Sequence, residues 1–221
     1  MGTGDLATDV SLRARFERFP ATVKGAFVVR GEDAFPHQVA FHEARVVRVP
    51  GPGARPITIA VVTLDVPPHK DLFVPFEFPI GELDPGWYDL EADVDVDGER
   101  REMSGGRRFC VPWPRSAVRS ASLRVDRTVE LEDATVAVDR CQSGPEGLSL
   151  RFSVHPSRSV GFRIDADGTK LDVVEVDVDP ASGKGVARAY PVLRSHRRLR
   201  IELSSGKGKG RSAEVEVEIP S

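Results

Sequence analysis

The chain has 221 residues, of which 40% are hydrophobic and 29% are charged, a composition that fits one or two globular domains. Its formal net charge of −3 excludes a bulk electrostatic attraction to nucleic acid or to an anionic membrane surface. No run approaches the roughly 18 consecutive apolar residues of a membrane span, so no membrane partner is expected.

The N-terminus and the cysteines indicate a cytoplasmic protein. Residues 1–10 carry acids and no apolar run, which predicts a flexible leader instead of a signal peptide. Cys110 and Cys141 are the only cysteines, and they fall in different predicted domains. Without an export signal they are expected to be reduced thiols packed as small apolar residues.

The first half of the chain contains short apolar runs separated by turns, which is typical of an all-β domain. Residues 57–66 are rich in β-branched side chains and are predicted to form a central strand. Residues 72–78 alternate but include Pro75, which lacks a backbone donor and so predicts an edge strand or a bulge. The other early strands are predicted at residues 12–16, 27–29 and 39–49, the last of them broken near His42.

The clearest strand of the sequence starts at Tyr88. Apolar and acidic residues alternate strictly from Tyr88 to Asp97, so one face of the strand is expected on a core and the other in water. The dipeptide Asp97-Gly98 predicts a type I′ hairpin turn, in which both central residues have positive φ. The return strand is predicted to run through to Val111, which gives about seven strands in the first domain.

The stretch Leu83-Asp84-Pro85-Gly86-Trp87-Tyr88, followed by this strand, resembles strand F of an immunoglobulin-like or fibronectin type III-like β-sandwich. The resemblance implies a tyrosine corner, in which the Tyr88 hydroxyl bonds to backbone upstream of it. It extends over roughly fifteen residues and the general strand pattern, and it implies a fold without implying a function.

The second half also contains short alternating apolar runs separated by turns, without evident sequence identity to the first half. Asp167-Gly168 predicts another hairpin turn, and no ten-residue stretch has a helical period. Further strands are predicted at residues 135–141, 148–154, 162–164, 174–178, 199–203 and 213–219. We therefore predict an all-β protein of two tandem immunoglobulin-like antiparallel β-sandwich domains. The predicted parts are a flexible leader at 1–10, domain 1 at 11–114, a linker at 115–121 and domain 2 at 122–221.

The acidic face of the strand after Tyr88 suggests calcium, but its geometry favours ion pairs. Calcium needs six to eight oxygens around one point, whereas alternate residues of a strand lie roughly 6.7 Å apart. A solvated face balanced by arginines on other strands is therefore predicted. The acids are Asp89, Glu91, Asp93, Asp95 and Asp97, and the predicted partners are Arg45, Arg48, Arg100 and Arg101.

Other motifs for catalysis or metal binding are missing. No G-x-S-x-G or P-loop pattern occurs, and the histidines at 37, 42, 69, 155 and 196 lack zinc-site spacing. Cys110 stands in an alternating apolar run, which favours a core thiol over a nucleophile. We therefore predict no catalytic residue, no metal site and no cofactor, and expect that the chain is not an enzyme.

One segment is strongly basic. Between residues 184 and 211 only Glu202 opposes nine cations, so that the segment carries a net charge of about +8. The cations could neutralise the acids at 214, 216 and 218 across a hairpin, or they could bind an anionic partner. The candidate partner-binding residues are Lys184, Arg188, Arg194, Arg197, Arg198, Arg200, Lys207, Lys209 and Arg211.

Three functions follow from these observations. The first is a non-enzymatic, cytoplasmic protein-interaction or adaptor module that presents loops and strand edges to a protein partner. The alternative is an anionic-ligand or nucleic-acid binder that uses the basic segment 184–211. A carbohydrate-binding module is a further alternative, but it needs exposed aromatic rings, and the main candidates are Trp87, Tyr88, Trp113 and Tyr190. A homodimer through exposed strand edges is compatible with each of them.

Overall fold

The computed structural model describes residues 9–51, 53–59, 63–205 and 212–219. These residues form β-strands without any α-helix, which confirms the all-β prediction. No helix in the described ranges is therefore long and apolar enough to cross a membrane. The chain divides into two compact units, Met1–Val111 and Pro112–Ser221, each with its own hydrophobic core.

The first unit is sandwich-like, with two antiparallel sheets on one core. The strands are β1 (Val10–Arg18), β2 (Thr22–Gly31), β3 (His37–Val49), β4 (Ala54–Ile57), β5 (Thr63–Val66), β6 (Asp71–Pro79), β7 (Gly86–Val96), β8 (Glu99–Ser104) and β9 (Phe109–Val111). One sheet has the order β1-β2-β6, and the other has the order β4-β3-β7-β8, with β5 paired to β3 and β9 paired to β7.

Strand β7 is the central strand of the larger sheet and follows the alternation of its sequence. Its burial alternates at every residue, because side chains of a pleated strand point to opposite faces. The apolar face packs into a core that also contains the fully buried rings of Phe27 and Phe41, whose centroids are 5.9 Å apart. The turn after β7 has φ of +53° at Asp97 and +89° at Gly98, as a type I′ turn requires.

The structure contains the hydrogen bond that the tyrosine-corner resemblance implies. The Tyr88 hydroxyl donates to the backbone carbonyl oxygen of Asp84 across 2.8 Å. The Tyr88 ring is 5% exposed and stacks on Phe109 with a centroid distance of 5.5 Å. The buried Tyr88 side chain therefore holds the backbone at Asp84, just before β7, in place.

Replacing Tyr88 with phenylalanine is expected to lower the free energy of unfolding by about 1 kcal/mol, since the Asp84 carbonyl loses a donor while the ring packing stays. Equilibrium denaturation in urea measures this difference. Lys70 is exposed and placed on a loop, so Lys70→Gln is a matched surface control that should leave the midpoint unchanged. Equal midpoints for wild type and Tyr88→Phe would contradict the prediction.

The structure also tests the predicted central strand at 57–66 and the predicted edge strand at 72–78. The expected central strand at 57–66 is wrong, because β4 and β5 are separate short strands that both pair with β3 on the same side. Its β-branched composition is misleading, since only Ile57 of β4 and Val66 of β5 are buried. Strand β6 is at the edge of its sheet, as Pro75 predicts.

The second unit is also sandwich-like. Its strands are β10 (Ala121–Glu130), β11 (Thr135–Gly144), β12 (Gly147–His155), β13 (Val160–Ala166), β14 (Thr169–Leu171), β15 (Val173–Val178), β16 (Lys184–Ala189), β17 (Arg198–Ser205) and β18 (Ser212–Glu218). A five-stranded antiparallel sheet has the order β10-β11-β12-β16-β15, and a four-stranded one has the order β14-β13-β17-β18.

The segment before β10 packs on this second unit. Val118 is 1% exposed and forms a β-bridge with Leu193. The backbone N–H of Trp113 donates to the Pro145 carbonyl across 2.8 Å. Residues that the sequence assigns to a linker at 115–121 are thus partly buried there.

Candidate functional site

Three connections meet at one end of the first unit, which we call the loop end: residues 32–36 between β2 and β3, residues 67–70 between β5 and β6, and the turn 97–98 between β7 and β8. The backbone N–H of His69 donates to the Gly31 carbonyl across 2.9 Å, and Gly31 also bridges to Pro68. These contacts hold the second connection against the first.

His37, the first residue of β3, ties the other two connections together. Its Nδ1 is 2.7 Å from Oδ2 of Asp97, and its Nε2 is 2.8 Å from Oδ1 of Asp33. The side chain of His37 is only 8% exposed, while both carboxylates are partly exposed. An ionised carboxylate only accepts hydrogen bonds, so this arrangement favours the imidazolium form, in which both ring nitrogens of His37 donate.

The ionisation of this group follows from its contacts. The hydrogen bond to Asp97, and then that to Asp33, raises the pKa of His37 above its ordinary value, against the opposing effect of burial. The same bonds lower the pKa of both carboxyls, with further help from the backbone N–H of Gln38 on Asp97 and of Phe35 on Asp33. The triad is therefore a charged clamp between two loops.

A second ion pair borders the clamp. Arg101 of β8 donates to both carboxylate oxygens of Asp9, at 2.6 and 3.0 Å, and also contacts Glu99 at 3.0 Å. The bonds from Arg101 lower the pKa of Asp9. The backbone N–H of Glu32 donates to the Asp9 carbonyl across 2.8 Å, so the chain just before β1 is also fixed at the loop end.

The clamp lacks the geometry of a catalytic triad. In a Ser-His-Asp site one ring nitrogen faces the acid and the other faces the nucleophile. Both nitrogens of His37 face carboxylates here. The arrangement can position loops, and it holds no ring nitrogen free to accept a proton from a substrate.

Phe35 stands between the two clamp residues in sequence and is 68% exposed. Its backbone N–H donates to Oδ1 of Asp33 across 2.9 Å, so the clamp also fixes the backbone that carries the ring. Among the described large apolar side chains it is the most exposed. An aromatic ring held in water on a fixed loop contributes little to the core and is available for contact.

The predicted basic segment is divided between the two sheets of the second unit. Lys184 and Arg188 lie on β16, where the buried alanines at 187 and 189 place them on the outer face of the five-stranded sheet. Arg198 and Arg200 lie on β17, on the outer face of the four-stranded sheet. Because both sheets cover one core, the two pairs of cations face away from each other.

The other cations of the basic segment lie before β17, face acids of β18 or fall outside the described residues. Arg194 and Arg197 precede β17, and Nη2 of Arg194 donates to the Arg115 carbonyl across 3.3 Å. The register of β17 and β18 places Arg198 opposite Glu218 and Arg200 opposite Glu216, the cross-hairpin pairing that the sequence predicts. Lys207, Lys209 and Arg211 lie outside the described residues.

The acidic face of β7 is neutralised largely as predicted. Arg100 contacts Asp93, and Arg45 bonds Glu91 across 3.1 Å. Arg48 instead donates to the Pro85 carbonyl across 3.1 Å, and Arg101 takes part in the Asp9 pair. Within the described ranges no group of acids, histidines or cysteines is arranged to hold a metal ion.

The two cysteines and most of the candidate sugar-binding aromatic residues are buried or packed against other side chains. Cys110 and Cys141 are both free and buried, and burial raises the pKa of Cys141 to about 12. Of the four candidate sugar platforms, Tyr88 is buried, and Trp113 packs edge-on against Tyr190 with centroids 5.2 Å apart. The exposed aromatic rings are those of Phe19, Phe35 and Phe73.

Comparisons with known proteins add no family. No protein-family model matches the chain, and no curated protein matches it. Among solved structures, the crystal structure of the conserved domain protein from Bacillus anthracis is similar to 97% of this chain and 88% of that one, with 10% sequence identity and a TM-score of 0.38. A likeness at this level carries no argument about function.

The sequence reasoning missed the loop end. Asp33 and His37 are four residues apart, a visible pair, but Asp97 is sixty residues further along the chain. The sequence signal that was available is the hairpin turn, because a type I′ turn brings its Asp to the end of the sandwich. Which loop faces that Asp depends on strand order, and the sequence does not specify it.

Proposed function

We propose that the chain is a non-enzymatic, cytoplasmic protein-interaction module whose loop end, in the first unit, contacts a protein partner. The observation that carries the proposal is the clamp of Asp33, His37 and Asp97, which fixes two loops around the exposed ring of Phe35. Fixing loops before binding lowers the entropic cost of association.

The strand order of the first unit supports the further proposal that this unit is immunoglobulin-like. In that fold strands A, B and E share one sheet and strands C, F and G the other. Here β1, β2 and β6 share one sheet, while β3, β7 and β8 share the other, and the tyrosine bond lies just before β7. The connections B–C and F–G then correspond to the loop end, where variable domains of this fold bind their ligands.

The strand order of the second unit supports a β-sandwich but not an immunoglobulin-like topology. Its strands β10, β11 and β12 pair consecutively within one sheet, whereas the third strand of an immunoglobulin-like domain crosses to the opposite sheet. We therefore assign the partner-binding role to the first unit, and keep the second as a sandwich-like companion domain.

The charges of the loop end indicate the kind of partner. The loop end carries more acids than the cations they pair with: Asp9, Glu32, Asp33, Asp97 and Glu99 contact Arg30, His37 and Arg101. A complementary protein surface would offer an apolar pocket for the ring of Phe35 with basic residues around it. The same acids disfavour nucleic acid at this end.

Replacing Phe35 with alanine is expected to weaken partner binding by about 2 kcal/mol or more, the loss typical of a central aromatic anchor. The ring is mostly in water, so folding should be unaffected. The tagged variant and wild type are compared by quantitative affinity capture from the native cytosol, followed by titration of the recovered partner. The measurement of interest is a protein that wild type captures and the variant does not.

Phe73→Ala is the matched control. Phe73 is 56% exposed on β6 of the same unit, on a sheet face and outside the loop end. Its removal should leave capture intact. Equal loss of a partner with both variants, or retention with both, would contradict the proposal, and size-exclusion chromatography at increasing concentration would reveal whether a second copy of the chain is that partner.

A further inference from the structure

A row of three arginines crosses the outer face of the five-stranded sheet in the second unit. Arg124 on β10 is directly opposite Arg140 on β11, and Arg140 is directly opposite Arg151 on β12. Like charges directly opposite each other destabilise an antiparallel pair. The repulsion between these arginines therefore opposes the pairing of the three strands, which makes the row a candidate for a role in binding.

Two β-bulges form around the row. The register of β10 and β11 shifts between Arg124 and Arg127, and that of β11 and β12 shifts between Val138 and Arg140. Asp126, within the first bulge, has φ of +46°, in the left-handed region that is costly for a non-glycine residue. Bulges of this kind redirect side chains and are frequent beside functional sites.

The bulges gather the charged side chains around one shallow depression. It is lined by Arg124, Asp126, Asp139, Arg140 and Arg151. Within it, Nε of Arg124 contacts Oδ2 of Asp126 across 2.5 Å, so one cation is neutralised locally. Two carboxylates against three guanidinium groups leave the depression with a net positive charge.

Among the residues that line the depression, Arg140 and Arg151 differ from Arg124 in having no ion-pair partner in the described part of the chain. Neither makes a salt bridge or a side-chain hydrogen bond to any other residue that the structure describes, and both side chains belong to exposed residues. A guanidinium presents a planar fork of donors that fits two oxygens of a phosphoryl group. Two such forks on adjacent strands, whose separation is about 4.8 Å, can converge on one anion.

The next row on the same face of the sheet carries further polar groups. It consists of Gln142 opposite Ser149, with Arg188 beyond Ser149 on β16. Arg188 is paired with Glu175 and is therefore largely neutralised. Amide and hydroxyl groups next to free guanidinium groups make a site for an oxyanion, with apolar contact playing little part.

We propose that Arg140 and Arg151 bind a phosphoryl anion on the outer face of the five-stranded sheet. Arg124, whose Nε is held by Asp126, offers its terminal N–H donors to a second, linked phosphoryl group. The row spans two strand spacings, roughly 10 Å, which is longer than one phosphate. Linked phosphoryl groups therefore bind more tightly than inorganic phosphate does. This site is independent of the loop end and of residues 198–200, which lie in the other unit and on the other sheet respectively.

Isothermal titration of the full chain with tripolyphosphate and with inorganic phosphate, at low and moderate salt, tests the proposal. Tripolyphosphate is expected to bind with the higher affinity and to weaken as salt rises. The double substitution Arg140→Gln and Arg151→Gln is expected to weaken tripolyphosphate binding about tenfold or more, because two charge-assisted contacts are lost. Inorganic phosphate binding as tightly as tripolyphosphate would overturn the linked-anion part of the proposal.

Two controls separate a binding site from a structural role. Without the anion, the double variant should be at least as stable to heat as wild type, since the like-charged row is relieved. The matched variant Arg198→Gln with Arg200→Gln should retain wild-type binding. Absence of tripolyphosphate binding to wild type, unchanged binding in the first variant, or equal loss in the matched variant would each overturn the proposal.

Discussion

Replacing Phe27 with alanine is expected to lower the free energy of unfolding of the first unit by about 3–5 kcal/mol. The ring is 0% exposed and lies between Phe41 and Phe76, with centroid distances of 5.9 and 5.0 Å. Removing it leaves a cavity among side chains that belong to both sheets and cannot collapse far. Most domains have a total stability of only about 5–15 kcal/mol, so the loss is a large part of it.

Limited proteolysis of the full chain shows which of the two units loses stability. In Phe27→Ala, cleavage should concentrate within residues 9–111 and leave a resistant fragment from the second unit. The matched variant is Phe152→Ala, in which an equally buried ring of the second core is removed and the opposite pattern is expected. The same fragments from both variants would contradict separate folding of the two predicted domains.

The parts of the fold that could be predicted depend on neighbours in sequence. The alternation from Tyr88 onward defines β7 and its buried face, and Asp97-Gly98 defines the turn after it. The pairing of Leu203 with Ala213 follows in the same way, since an antiparallel hairpin fixes the register of its own strands. The period of two and the chemistry of a turn are local properties, so the sequence alone contains them.

The rest depends on which strands become neighbours. Residues 57–66 have a composition that fits a central strand, but their position at the edge of β3 is a property of the whole sheet. The row of Arg124, Arg140 and Arg151 comes from three strands and two bulges. A bulge shifts the facing of every residue after it, and simple alternation does not foresee it.

The candidate sites show the same division. The dense basic segment was visible in the sequence, yet strand order places its Lys184 and Arg198 on different sheets. His37 had no visible partner except Asp33, because its other contact comes from a turn sixty residues away. Which candidate residues come together on the surface therefore depends on strand order more than on local composition.

The stability of the first unit is expected to decrease as pH rises above 6.5, because of His37. The pKa of this histidine is raised in the folded protein from its ordinary value of 6.5 by Asp97 and Asp33. The folded state thus holds a proton that the unfolded chain releases, so the clamp stabilises fully below pH 6.5 and the gain is lost as pH passes the folded-state pKa. The other charged groups at the loop end are Arg101 with Asp9 and Glu99, and Arg30 with Glu32; carboxylates and guanidinium groups stay ionised across this range.

His37→Gln removes the titrating group and keeps the capacity to hydrogen-bond, so its stability should be nearly independent of pH above 6.5. Urea denaturation at a series of pH values measures both profiles. It is followed by tryptophan fluorescence in a Trp113→Phe background, so that the signal comes from Trp87 of the first unit. His42→Gln, an exposed position on the same strand, should keep the wild-type profile. If His37→Gln and wild type lose stability in parallel as pH rises, the clamp is not ionised as its geometry requires, and the loop end loses the feature that holds Phe35 in place.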